Sequence, residues 1–153
     1  MLGARMLYKT LLLFHILAAT IWTGGHMVLA IVVLPKALRK RSAEELLQFE
    51  AGYERIGIPA LLVQVVTGLC LSYMLVPDVS LWFDLGNPIC RAIAAKLALL
   101  AITIGFAVDA RLRLIPHLTP EKLPALAWHV VPVTVVSVLF VYVGVSIRTG
   151  GLF

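Results

Sequence analysis

Residues 11–34 read LLLFHILAATIWTGGHMVLAIVVL, an unbroken apolar run with no Asp, Glu, Lys or Arg. A run of about 20 apolar residues is what an α-helix needs to cross a hydrocarbon layer of about 30 Å. The run shows no strand-like alternation, and backbone groups in lipid must bond within a helix or a closed barrel, so the helix is the reading that holds. Three further runs of the same character follow, over 58–76, 92–108 and 125–147, the third span carrying Lys96 as its one charge. The expected fold is therefore all-α, an integral membrane four-helix bundle forming a single transmembrane domain over 1–153.

The rest of the chain agrees with this. It is 61% hydrophobic and 14% charged with a mean hydropathy of +0.98, against about 45–50% apolar residues in an ordinary soluble domain. Such an excess must face lipid, which excludes a disordered chain and argues against a soluble one. The net charge of +5 would suggest a nucleic-acid partner in a soluble protein. In a membrane protein cations collect in cytoplasmic loops, so no nucleic acid is called for. Cys70 and Cys90 are too few for a disulfide framework or a thiolate metal site.

The first loop (Lys36, Arg39, Lys40, Arg41, Arg55) and the third (Arg111, Arg113, Lys122) hold eight Lys and Arg, and the other side holds five (Arg5, Lys9, Arg91, Lys96, Arg148). By the positive-inside rule these loops are cytoplasmic and both termini lie on the outer side. The basic flank Met1–Arg5 resembles that of a signal peptide, but the run after it is too long and lacks a small-residue cleavage site, so it reads as a retained first span. Ser42 and Glu45 have the spacing of a capping box, predicting a short cytoplasmic surface helix over 43–55. Trp82 and Phe83, between the second and third spans, suit an interfacial belt. Thr119-Pro120 starts the run into the fourth span, which Pro132 should kink.

Against so apolar a background, polar residues at membrane depth are functional candidates. His15 and His26 are eleven residues apart, which returns to nearly the same helix face after about 16 Å of rise. His129, near the start of the fourth span, falls within about 5 Å of the depth of His26. Facing imidazoles at one depth suit bis-histidine haem b, with His26 and His129 as ligands and the small Gly24-Gly25 surface admitting the ring. Copper also accepts imidazole, with Met27 or Met74 as softer supplements. His15 has no histidine at its own depth. Lys96 and Arg148 lie near that level and suit haem propionates or a quinol headgroup, so the outer level is a second candidate pocket for a cofactor, a metal or a quinol. Metal candidates are thus His15, His26 and His129, for one or two haems b or alternatively a copper ion, and no catalytic residue is assigned. Asp109 is expected to pair with Arg111 or Arg113, and His117 to be solvated.

The segment His15-Ile-Leu-Ala-Ala-Thr-Ile-Trp22-Thr-Gly-Gly25, then Tyr53-Glu-Arg55, Ile58-Pro59-Ala60, Gly68, Lys96-Leu-Ala-Leu99 and Pro132 resembles the CopD-type copper-resistance membrane protein family. It is also similar to the related bacterial four-helix protoporphyrinogen oxidases. The resemblance implies that His15 ligates haem b or a metal, with Trp22 and Gly25 packed around it and Lys96 as a polar partner. It also implies a multi-pass protein of the bacterial inner (cytoplasmic) membrane, whose outer side is periplasmic. The oxidases carry Arg-x-x-Asn-Glu-x-Pro entering their last helix, whereas this chain has Ala127-Trp128-His129-Val130-Val131-Pro132. Electron transfer is therefore favoured over porphyrinogen oxidation. The functional expectation is a haem b redox protein, with a CopD-type copper transport or resistance protein as one alternative and an accessory subunit of a larger redox complex as the other. Expected partners are the bilayer, a quinol or another membrane redox protein, and further copies or subunits in a homo-oligomer or complex.

Overall fold

The computed structural model describes residues 2–149. Helix α1 (Leu2–Val28) runs through one π-helical turn, Leu29–Val33, into α2 (Leu34–Lys40), and α3 (Glu44–Leu75) follows after three residues. Helix α4 (Pro88–Asp109) continues through a second π turn, Ala110–Leu114, and α5 (Leu123–Thr149) closes the fold. The four rods span 39, 32, 30 and 30 residues, each long and apolar enough to cross a membrane, and no strand occurs among the described residues. The chain is an all-α membrane helical bundle.

The first connection is tight because α2 ends in a Schellman motif. Ser42 N–H donates to Ala37 O (3.2 Å) and Arg41 N–H to Leu38 O (3.3 Å), with Arg41 in the left-handed region at φ 49°. That closure forecloses the expected capping box: the Ser42 N–H is already engaged, and Glu45 turns instead to Lys36 (2.9 Å) and Lys40 (2.6 Å). Nor is 43–55 a separate surface helix, because it is continuous with the second span. Pro59 inside α3 leaves the Arg55 carbonyl without its helical donor but does not end the helix, and Gly57 is kept there by packing, since a Cβ on it would lie 3.0 Å from the Tyr53 ring.

At the other end Asn87 caps α4, its Oδ1 accepting from Ile89 N (2.9 Å) and Cys90 N (3.5 Å), with Pro88 in the first turn. Replacing Asn87 with Ala should cost about 1 kcal/mol, read as a lowered Tm in detergent. Of the two aromatics in the second connection, Trp82 is packed inward. It is buried and donates from Nε1 to Val76 O (2.9 Å), while Phe83 is exposed. In that loop Asp78 accepts from both the N–H and the hydroxyl of Ser80, which holds its carboxyl below the usual range. Pro132 lies inside α5, where its missing N–H leaves the Trp128 carbonyl without its helical donor.

The bundle is apolar outside and partly polar within, as lipid solvation requires. Large apolar residues such as Phe14, Leu62, Val66, Val135 and Val145 point outward, whereas Thr23, His26, Gln64, Thr67, Thr103, Ser137 and Ser146 are buried. Cross-helix bonds use these groups: Thr23 Oγ1 donates to Ser137 O (3.3 Å) and Thr134 Oγ1 to His26 O (3.2 Å), tying α1 to α5. Leu29, Leu34, Ala37, Leu46, Leu123, Leu126 and Val130 form an apolar core at the end of the first and third connections. Helix α1 packs along α3 and α5, and α5 along α4, but α3 and α4 share no extended packing. That gap creates the cavity.

Candidate functional site

A cavity of about 430 Å³ lies in the gap, between Tyr53 and Glu54 of α3 and Phe106 of α4, with Trp22 and His26 of α1 and His129 of α5 as its floor. It lies within the size range of small-molecule sites and is lined mainly by apolar atoms. Leu29 and Ala110, the first residues of the two π turns, border it, and π turns recur at functional sites. Across the gap Arg111 Nη1 bonds Glu54 Oε2 at 2.8 Å, strapping α4 to α3.

The Trp22 carbonyl organises the floor. It accepts from Tyr53 Oη (2.9 Å) and from His26 Nδ1 (2.9 Å). A carbonyl can only accept, so Nδ1 carries the proton and Nε2 of the neutral ring keeps its lone pair. The His26 ring lies 4.4 Å from the Trp22 indole, tilted by 47°, and edge-on to Tyr53 at 5.7 Å, which fixes its orientation. Gly25 makes this possible, because a Cβ there would overlap the Tyr53 ring. Gly24 has open space around it and forms no such contact. The Trp22 Nε1–H is buried without an acceptor.

His129 shares the cavity with His26 but has both nitrogens engaged. Nδ1 lies 3.1 Å from Ala125 O, and Nε2 lies 2.7 Å from Asp109 Oδ2, whose other oxygen takes Arg113 Nη1 at 3.2 Å. The Asp109 side chain is 38% exposed, which weakens the pairing, so Asp109→Asn should cost about 1 kcal/mol, measured by thermal unfolding in detergent.

At the second level, His15 Nδ1 lies 3.0 Å from Thr67 Oγ1. The Thr67 hydroxyl donates its proton to Val63 O (2.6 Å), so it accepts from His15 Nδ1–H, and His15 Nε2 also retains its lone pair. Gly68 makes room for the His15 ring, and Gly144 for the Lys96 ammonium, 3.3 Å from where a Cβ would sit. Lys96 lies within electrostatic range of His15. Arg148 is not brought to this pocket. It is exposed, with its guanidinium over the Tyr8 ring at 5.5 Å. Met27, Tyr73 and His117 face outward. Sequence reasoning missed Tyr53, Thr67 and Glu54 as partners and matched Asp109 only to arginines. A tyrosine at the start of a motif was the one signal available.

A family model for copper resistance protein D matches residues 47–147. The chain belongs to the copper resistance protein D family. Comparison with curated proteins gives no match, and comparison with solved structures gives none either. The matched stretch takes in α3 from Leu47, α4 and nearly all of α5, so Tyr53, Lys96, Asp109 and His129 fall within it. His15 and His26 precede it.

For a copper resistance protein D family member, the donor set decides what can be held. Among the described residues no three His, Cys, Asp or Glu converge, so no closed metal cage is formed. Cys70 is exposed and Cys90 buried, both as free thiols. Bis-histidine haem b on His26 and His129 does not fit, because the nitrogen His129 would offer is bonded to Asp109. What the family member does present is two anchored imidazoles on one helix, each with one nitrogen lone pair unused.

Proposed function

We propose that this multi-pass membrane protein transports copper, with His26 and His15 of α1 as successive ligand stations about 16 Å apart. The observation that carries the reading is the shared anchoring of the two rings. Nδ1 of each is bonded to a fixed acceptor, Trp22 O or Thr67 Oγ1, the outer-sphere arrangement that orients a ligating imidazole. Imidazole suits copper, and a sparse ligand set suits an ion that must leave as well as enter. Membership of the copper resistance protein D family supports the choice of ion. Gln64 Oε1, buried without a partner on the same stretch of α3 as Thr67, adds an unused oxygen donor to that helix.

The basic first and third connections favour termini on the periplasmic side of a bacterial inner membrane. Cells expressing the protein should accumulate more copper than cells lacking it, as read by elemental analysis. Unchanged copper content would contradict the reading.

A second reading, haem b held by His26 alone for electron transfer, draws support from the size and apolar lining of the cavity. Haem would supply one-electron redox chemistry, and His26 would hold it through its unused Nε2. The purified protein from haem-replete cells would then show a Soret band that His26→Ala removes, and a colourless preparation would dismiss this reading.

A further inference from the structure

Copper on His15 meets a charge problem. Lys96 lies within electrostatic range of His15, and its ammonium sits against Gly144 of α5, where an added Cβ would lie 3.3 Å away. The position is about 12 Å along α4 from Pro88. Among the described residues Lys96 enters no ion pair. Six of the eight Asp and Glu of the chain lie toward the first and third connections, and the other two, Asp78 and Asp84, lie in the second, where they bond Ser80 and Gly86. A cuprous ion on His15 Nε2 would therefore set a second positive charge beside an uncompensated one, in surroundings that screen poorly. The station is short of donors as well: His15 offers one nitrogen, and no three His, Cys, Asp or Glu converge among the described residues, whereas a cuprous ion takes at least two ligands.

We infer that the His15 station takes copper together with a halide ion, chloride in the cell, which ligates the metal opposite Nε2 and accepts a charge-assisted hydrogen bond from Lys96 Nζ. The imidazole is neutral and a cuprous halide unit carries no net charge, so loading leaves the pocket with the single charge of Lys96. Both side chains are half-buried rather than sealed, which admits an ion of this size. Copper keeps its oxidation state, and no proton is transferred. The inference rests on the reading of His15 as a copper station and gives Lys96 the role of holding the anion.

The test uses the His26→Ala variant, in which His15 is the remaining anchored imidazole. Cuprous affinity is measured by chelator competition in sodium chloride and in sodium gluconate at equal pH and ionic strength, with the chelator calibrated in each salt. Chloride should tighten binding about tenfold. Adding Lys96→Met should weaken binding in chloride, where the hydrogen bond to the anion is lost, and tighten it in gluconate, where the repulsion is lost. A lysine needed only for packing would shift both salts alike. X-ray absorption at the copper edge, on protein loaded in bromide, should show one bromine neighbour per copper. Equal affinity in the two salts, a Lys96→Met shift of the same sign in both, or no bromine neighbour would overturn the inference and leave the copper station standing. No copper binding in either salt would overturn the station and the inference together. Should Lys96→Met fail to fold, the salt comparison and the bromine neighbour decide.

Discussion

Replacing His26 with Ala should weaken copper binding by the detergent-solubilised protein more than tenfold, read by competition with a chelator of known affinity. Loss of an outer-sphere partner alone typically costs 10- to 100-fold in metal affinity, and this change removes the ligand itself. The protein should stay folded. The ring contacts with Trp22 and Tyr53 are lost, but the Tyr53 hydroxyl keeps its bond to the Trp22 carbonyl. Tyr53→Phe separates orientation from ligation: His26 keeps its Nδ1 bond to Trp22 O, so affinity should fall by less than in His26→Ala. Equal affinity in wild type and His26→Ala would remove His26 from the site.

The second large effect is structural. Gly25→Ala places a methyl group where the Tyr53 ring lies, and Tyr53 has little room to retreat because it stacks on Phe49 at 5.9 Å and packs against Gly57. Overpacking of this kind costs about 1–3 kcal/mol, so Tm in detergent should drop clearly and the α1–α3 contact beside His26 should loosen. Gly24→Ala is the internal control, since its added methyl group meets no atom within 4 Å. It should be neutral or slightly stabilising, through the better helix propensity of Ala. Similar losses in both variants would mean that propensity, not the fit to Tyr53, governs this stretch.

The contrast between these two glycines shows what the sequence could and could not reveal. As letters Gly24 and Gly25 are equivalent, and only the 100° of helix rotation between them decides that one faces α3. The four spans were legible because lipid imposes a length and a composition on any helix that crosses it. Helix ends were less so: Ser42 and Glu45 spell a capping box, but the same Ser42 N–H also closes the Schellman turn of α2, and the turn wins. The shared level of His26 and His129 followed from rise per residue alone. The engagement of His129 by Asp109 did not, because helix rotation and pairing between α4 and α5 leave no periodic trace. Arg148 was placed near His15 by depth, yet at the helix end its side chain reaches the Tyr8 ring instead.

Transport of copper along α1 on two imidazoles requires both His15 and His26. Its most direct test is radioactive copper uptake into proteoliposomes holding the wild type, the His15→Ala/His26→Ala double variant, or no protein. Uptake by the wild type should saturate, and the double variant should fall to the level of protein-free vesicles. Wild-type uptake no faster than that of empty vesicles, or undiminished uptake by the double variant, would contradict it.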